Sequence, residues 1–390
     1  MRIARLAATA GLLVLIPIAT FGQTSSPWVF GPELGAIGDT VAVISWETSR
    51  QVSVDLHYGL AEVYDSSGTW SETLTFDRQE GRAEVWLSGL MADGTYRYQL
   101  VSYEGDAVFP SRIGSFRTSG PDVRSCSFAV YGNTRSFPDR HKLVADSIAG
   151  DEQGAAFVAH VGSLTDAYTA DRLANFHWAI SELARSIPYI SVVGGEADDQ
   201  TPYYQTFALP QGGGIAGEQW WAFRYGGVLI IGLDSSLDDP LDARAQEQIT
   251  WLRQTLRADD ASLCVVLTSD GLYTSAYPSG RNETLIELWE PVLREFDVDV
   301  VASASTGAYE HIYAGGIHHI TTGGGGGPLA EAPEDRVPGL VFSRYGVLHY
   351  LRFTAADDAM RVEAVPLASI IEDEVFLTPG DSPIDAFVVR

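Results

Sequence analysis

FVAHVGSLTDAY, residues 157–168, is an apolar run that ends at Gly162 and gives way to a short polar turn. The same pattern recurs along the chain in VYGNTRS (130–136), VVGGEADD (192–199), VVLTSDGLY (265–273), VVASASTGAYEH (300–311) and ITTGGGGGP (320–328). Loops at the carboxyl ends of parallel strands converge on a common cleft, so these strand ends are where chemistry belongs.

Outward from that stretch, strands alternate with helices. CSFAVYG (126–132) precedes a helix expected over 139–148, and AAFVAHVG precedes one over about 169–186, where Leu173, Phe176, Ile180 and Leu183 recur at helical spacing. PYISVVGG and GVLIIGLDS are strands, and a helix over about 242–257 places Ile249, Leu252 and Leu256 on one face. ASLCVVLTS, VDVVASAS, GGIHHITTGGGGG and YGVLHYLRFT complete a layered α/β set.

Residues 27–118 read differently. TVAVISWET, QVSVDLHYG, AEVWLSGL, GTYRYQLVSY and GSFRT alternate apolar and polar residues between turns, the pattern of a β-sandwich. TSGPDV (118–123) is the expected linker between a first domain at 27–119 and a second at 122–390.

The first 22 residues read as a secretory signal, with Arg2 and Arg5 ahead of LAATAGLLVLIPIATF. The expected product is exported, periplasmic or extracellular, with no membrane span after cleavage. The formal charge is −26, and removing two arginines makes it −28. Such a surface repels nucleic acid and anionic lipid. Lys142 is the single lysine, which suits either a salty environment or arginine-rich codon usage. Cys126 and Cys264 each lie in an apolar strand; the sequence leaves open whether they pair. NET at 282–284 is a glycosylation sequon, irrelevant in a bacterium.

In order, spacing and flanking residues, the six strand ends resemble those of the calcineurin-like metallophosphoesterases, and most of all bacterial secreted relatives of purple acid phosphatases. The resemblance runs from about residue 27 to about 365. It includes VISWET … VWLSGLMADGTYRYQLVS … FRTSGP, which resembles a fibronectin type III-like module with Trp46 in its core and Tyr96 packing on a late strand. The implied architecture is that sandwich followed by a four-layer α/β/β/α fold. The implied activity is phosphate-ester hydrolysis at two metal ions that activate hydroxide and clamp the phosphoryl oxygens.

Position by position, the ligands that the family requires are replaced. Glycine-aspartate has become Gly132-Asn133, and the bridging aspartate is Ser163. Glycine-asparagine-histidine reads Gly194-Gly195-Glu196, so a ligand is lost and the substrate histidine is an acid. The fourth segment's histidine aligns with Ser269, and the glycine-histidine-x-histidine motif reads Ala304 to Gly307, with Ser305 and Gly307 at the histidine positions. A structural metal contributes on the order of 10 kcal/mol through its ligands together, which neutral amide and hydroxyl groups do not replace.

A replacement site for Ca²⁺, Mg²⁺, Zn²⁺ or Fe would draw on Asp166, Asp198, Asp270, Glu310 and His311, with Asp199 nearby. The plainer reading is that a chain with 51 acidic residues places some of them on loops. Ser163, Ser269 and Ser305 lack an evident histidine base, and the five-glycine run lacks the lysine of a phosphate loop. His160 reads as a packed strand residue, His318 and His319 as opposite-facing neighbours, and His141 and His177 as helix residues without an evident partner.

The expectation is therefore an exported, non-catalytic phosphoesterase relative without cofactor, serving as a binding or structural component. Its partner is unknown, a protein or a further copy of the chain being the candidates. The alternative is an active phosphoesterase with a rebuilt or weak metal site.

Overall fold

The computed structural model describes residues 25–121, 123–194, 199–276, 280–304, 306–378 and 382–390. The expected signal at 1–22 lies outside the described residues, as do Gly195, Glu196, Asp198 and Ser305.

Six strands between Trp28 and Arg117 form the first, sheet-rich part. Its hub is Val41–Leu60, antiparallel to Trp28–Ile37, Glu72–Ser88 and Thr95–Glu104. Within the hub Val52, Val54 and Leu56 are buried while Ser53, Asp55 and His57 are half-buried, as a pleated strand with one covered face requires. Trp46 is fully buried and meets Phe76 edge-on at 5.2 Å, and Tyr96 stacks on Phe116 at 5.2 Å.

The rest of the chain builds two larger sheets. In the seven-stranded sheet Ser125–Tyr131, Val158–His160 and Tyr189–Ser191 run parallel. Val347–Ala356 and Ala359–Ile371 add antiparallel strands beyond Ser125–Tyr131. In the eight-stranded sheet Val228–Gly232, Leu263–Leu267, Val300–Ser303 and Ile317–Thr322 run parallel. Val228–Gly232 and Leu263–Leu267 are apolar throughout because both faces are covered. Val228, Ile230, Val265 and Val300 join the large core that also holds Phe128, Val130 and Phe353 of the other sheet. Leu229, Ile231, Val266 and Val301 join a second core with Leu252, Leu285 and Trp289 of the helices Ala243–Ala258 and Glu283–Glu295. Helices Pro138–Ala149 and Ala170–Ala184 bury His141, Val144, Ile148, Phe176, Ile180 and Leu183. The layers are thus helix, sheet, sheet, helix.

The three expected helices form to within about two residues at each end. Helix Glu283–Glu295 was not anticipated. Its N-cap is Asn282, whose Oδ1 accepts from the Leu285 backbone N–H at 3.2 Å, so the asparagine of the apparent sequon caps a helix.

The sheet-rich part packs directly on the α/β part. Ala36 N–H donates to the Ala208 carbonyl at 2.9 Å, and the Tyr98 hydroxyl to the Arg185 carbonyl at 2.8 Å. Cys126 and Cys264 are free thiols. No helix among the described residues is long and apolar enough to cross a membrane.

Candidate functional site

The strand ends of the two sheets meet edge to edge. Gly132 N–H donates to the Thr322 carbonyl at 3.1 Å and Gly325 N–H to the Gly132 carbonyl at 2.9 Å, while at the strand ends within the eight-stranded sheet Ala304 N–H donates to the Ser269 carbonyl at 3.1 Å. A Cβ on Gly162 would lie 2.3 Å from Ser269 Oγ, and one on Gly132 would lie 2.6 Å from Ala304 Cβ. Asn133, Ser163, Ser269 and Ala304 therefore surround one cleft. Asn133 (φ 58°) and Ser163 (φ 54°) both hold left-handed backbone, an uncommon conformation for residues with a side chain. Their backbones interlock: Asn133 N–H donates to the Gly162 carbonyl at 3.1 Å and Thr134 N–H to the Ser163 carbonyl at 2.9 Å.

Asn133 is fully buried, and its side chain is committed. Nδ2 donates to the carbonyls of Gly323 at 3.0 Å and Pro328 at 2.9 Å, while Oδ1 accepts from Arg135 Nε at 3.2 Å. A carboxylate here would have no hydrogen to give those carbonyls. The cation that faces this position is a guanidinium of the chain itself. Its charge also reaches Asp270, whose carboxyl burial pushes up against the opposing hydrogen bond from Ser235 Oγ at 2.9 Å.

At Gly307 the space for a side chain is filled by backbone. An added Cβ would lie 2.1 Å from the Pro328 carbonyl oxygen and 2.6 Å from Leu329 Cα. Ala330 N–H donates to the Gly307 carbonyl at 2.8 Å and holds that segment down. The glycine run thus continues over the ground that a histidine would need. The described residues of the cleft do not fit a pair of divalent ions: Asn133 and Ser269 are neutral, Ser163 is a buried hydroxyl, and Gly307 has no room for a ligand.

The alternative ligands are dispersed. Asp166 is exposed and accepts from Ser136 Oγ at 3.0 and 2.9 Å, with Arg172 at 3.6 Å. Glu310, expected near the cleft mouth, is instead fully buried and saturated. It accepts from Thr274 Oγ1 at 2.6 Å, the Ser275 N–H at 2.9 Å and the Tyr345 hydroxyl at 2.8 Å. His311 pairs through Nδ1 with Asp385 at 2.9 Å and through Nε2 with His318 Nδ1 at 2.8 Å. Among the described residues no three His, Cys, Asp or Glu side chains are grouped so as to hold a metal.

The remaining histidines are packing groups or interface groups. His160 is fully buried beside Thr134, and His141 shares a hydrogen bond with the Tyr131 hydroxyl at 2.8 Å; burial pushes His141 down to about 3. His177, with no partner evident in its own helix, binds Glu33 of the first strand at 2.9 Å, a pairing 144 residues apart. Asp385, which joins Tyr309 and His311, was likewise not singled out; nothing in its local sequence marks it.

No protein-family model matches the chain, and no curated protein sequence matches it. Solved structures do. Purple acid phosphatase PPD1 from yellow lupin (Lupinus luteus) seeds superposes with a TM-score of 0.74 at 15% identity, covering 92% of this chain and 73% of that one. PhoD gives 0.72 at 13% identity, over 94% of this chain and 91% of its own. GAP50, the anchor in the inner membrane complex of Plasmodium, gives 0.52 at 17%, over 67% and 90%. The chain has the metallophosphoesterase fold, preceded by a sheet-rich domain. At such identities the likeness is one of fold.

Proposed function

We propose that this protein is a non-catalytic bearer of the metallophosphoesterase fold, exported from the cytoplasm and acting as a binding or structural component. Its amino-terminal part, on this reading, is a fibronectin-like module, with domains at 27–119 and 122–390. The observation that carries the proposal is the commitment of Asn133. Both donor bonds of its amide go to the glycine-run carbonyls, and its oxygen faces Arg135 rather than an ion. Hydrolysis by this fold needs metal-bound hydroxide, and a cleft lined by Asn133, Ser163, Ser269 and Gly307 supplies neither charge nor imidazole to hold the metals.

Support for a structural role comes from the Plasmodium neighbour, an anchor in a membrane complex. A similar fold, over 67% of this chain, therefore occurs in a protein described as an anchor. The test is hydrolysis of p-nitrophenyl phosphate and bis-p-nitrophenyl phosphate in the presence of Zn²⁺, Mn²⁺, Fe²⁺, Mg²⁺ or Ca²⁺. The proposal expects no turnover above buffer with any of them. Metal-dependent turnover that survives purification to homogeneity, and disappears in Asp270→Ala, would replace it with a phosphoesterase whose centre has been rebuilt.

A further inference from the structure

We infer a second binding site, remote from the strand-end cleft, for a zwitterionic small molecule: an α-amino acid with an aromatic side chain. The site is a cavity of about 500 Å³ between the sheet-rich part and helix Ala170–Ala184, within the size range of small-ligand pockets. Val29, Phe30, Leu173 and Pro202 give it an apolar wall. Its polar lining includes Asp171, Gln205 and Thr206, and three further groups from both parts of the chain carry the argument: Arg82, Glu47 and His177.

Each of the three is left incomplete by the protein. Arg82 uses Nη1 for Glu84 at 3.0 Å, while its buried Nε and Nη2 have no protein partner among the described residues. Those two atoms form the side-on fork that takes a carboxylate with two parallel hydrogen bonds. Glu47 lies directly across the strand pair from Arg82, yet its carboxylate has no hydrogen bond or ion pair with Arg82 or with another described residue. A half-buried carboxylate beside a guanidinium with two buried, unpartnered nitrogens, the two side chains not paired with each other, suits a ligand that carries one charge for each.

His177 supplies the third group. It is 2% exposed and stacks on Phe30, ring centroids 3.9 Å apart at 7°. Its Nδ1 lies 2.9 and 3.0 Å from the two Glu33 oxygens, so Nδ1 carries the hydrogen and donates it. In the neutral ring Nε2 is then a bare acceptor, and it has no protein partner. The cavity thus offers a two-pronged donor for a carboxylate, two acceptors for an ammonium, and apolar surface for a ring. An anion alone would leave Glu47 and Nε2 unsatisfied, and a cation alone would leave the Arg82 fork unsatisfied.

The test is isothermal titration calorimetry of the purified chain with L-phenylalanine, 3-phenylpropionate and phenylethylamine, which share one body and differ in charge. One equivalent of L-phenylalanine is expected to bind at millimolar concentration or below, with each singly charged analogue at least about tenfold weaker. In Arg82→Gln the preference over phenylethylamine should disappear, and in Glu47→Gln the preference over 3-phenylpropionate should disappear. Ala174→Trp, at the exposed rim, should block all three without altering the melting temperature. No heat with L-phenylalanine, or equal binding of the three compounds by the wild type and by Arg82→Gln, would overturn the assignment. Neither result bears on whether the strand-end cleft holds metal.

Discussion

The carbonyl oxygen of Pro328 stands where a side chain at Gly307 would begin, 2.1 Å from the position of an added Cβ. The path of the backbone therefore leaves no room for a histidine at that position. Gly307→Ala should destabilise the protein by roughly 1–3 kcal/mol, the usual range for overpacking, because its neighbours Pro328, Leu329 and Ala330 approach with main-chain atoms, which cannot swing aside. Urea unfolding of the pure variant measures this; an unchanged midpoint would mean that the segment after the glycine run yields easily.

Asn133→Asp restores the residue that a dimetal centre requires and gives a prediction of opposite sign for the two readings. Here it removes two donors from the Gly323 and Pro328 carbonyls and aims a carboxylate at them. Unsatisfied buried partners put the cost at about 2–4 kcal/mol, only partly offset by Arg135. Added Zn²⁺ or Mn²⁺ should not recover the loss. A rebuilt metal site would instead be stabilised by its ligand through mass action, and the melting temperature of the variant would rise with metal concentration.

Glu310 is a buried carboxylate held by four hydrogen bonds, from Thr274, Ser275 (bifurcated over both oxygens) and Tyr345. Glu310→Gln replaces one acceptor with an amide that faces donors, so a loss of about 2–3 kcal/mol is expected. Metal content should be the same in wild type and variant. A fall in bound metal on this change would place Glu310 in a coordination sphere.

How much of this was legible beforehand follows physical lines. The two parallel-centred sheets showed because strands covered on both faces are apolar throughout, as in VLIIG and LCVVL, and because strand ends repeat a glycine-then-polar turn. Helix Glu283–Glu295 was missed because Asn282 read as a sequon, although asparagine ahead of an apolar-periodic run is also an N-cap signal. Pairings such as Glu33 with His177 and His311 with Asp385 left no mark, since side-chain partners far apart in sequence impose no periodicity. That positions 269 and 307 carry no imidazole could be read; that Pro328 closes the space at Gly307, and that Arg135 faces Asn133, required coordinates.

Acid should unfold this protein early. Burial holds His141 at about 3 and His319 and His349 at about 4, and pushes His160 down as well. Each folded-state value lies below the unfolded 6.5, so between those limits the unfolded chain binds more protons and stability falls as pH falls. Each group costs up to about 1.4 kcal/mol per pH unit in that window. Glu218, pushed up to about 7 by burial, acts in the opposite sense between 4.5 and 7, as do Asp270 and Asp299, which burial also pushes up, while His318, held at about 4, adds to the four imidazoles. The urea midpoint should be level above about pH 6.5 and drop steeply towards pH 4. A midpoint that is flat across that range would show that these imidazoles are hydrated or paired in the folded state.

The proposed absence of a dimetal centre is tested most directly by metal content, measured by plasma mass spectrometry after incubation with Zn²⁺, Mn²⁺ and Fe²⁺ and removal of free ions. A cleft in which Asn133 clamps the glycine run and Pro328 covers Gly307 predicts less than about a tenth of an equivalent of any of them. One or two tightly held equivalents, retained through gel filtration, would contradict it and return the protein to the metal-dependent phosphoesterases.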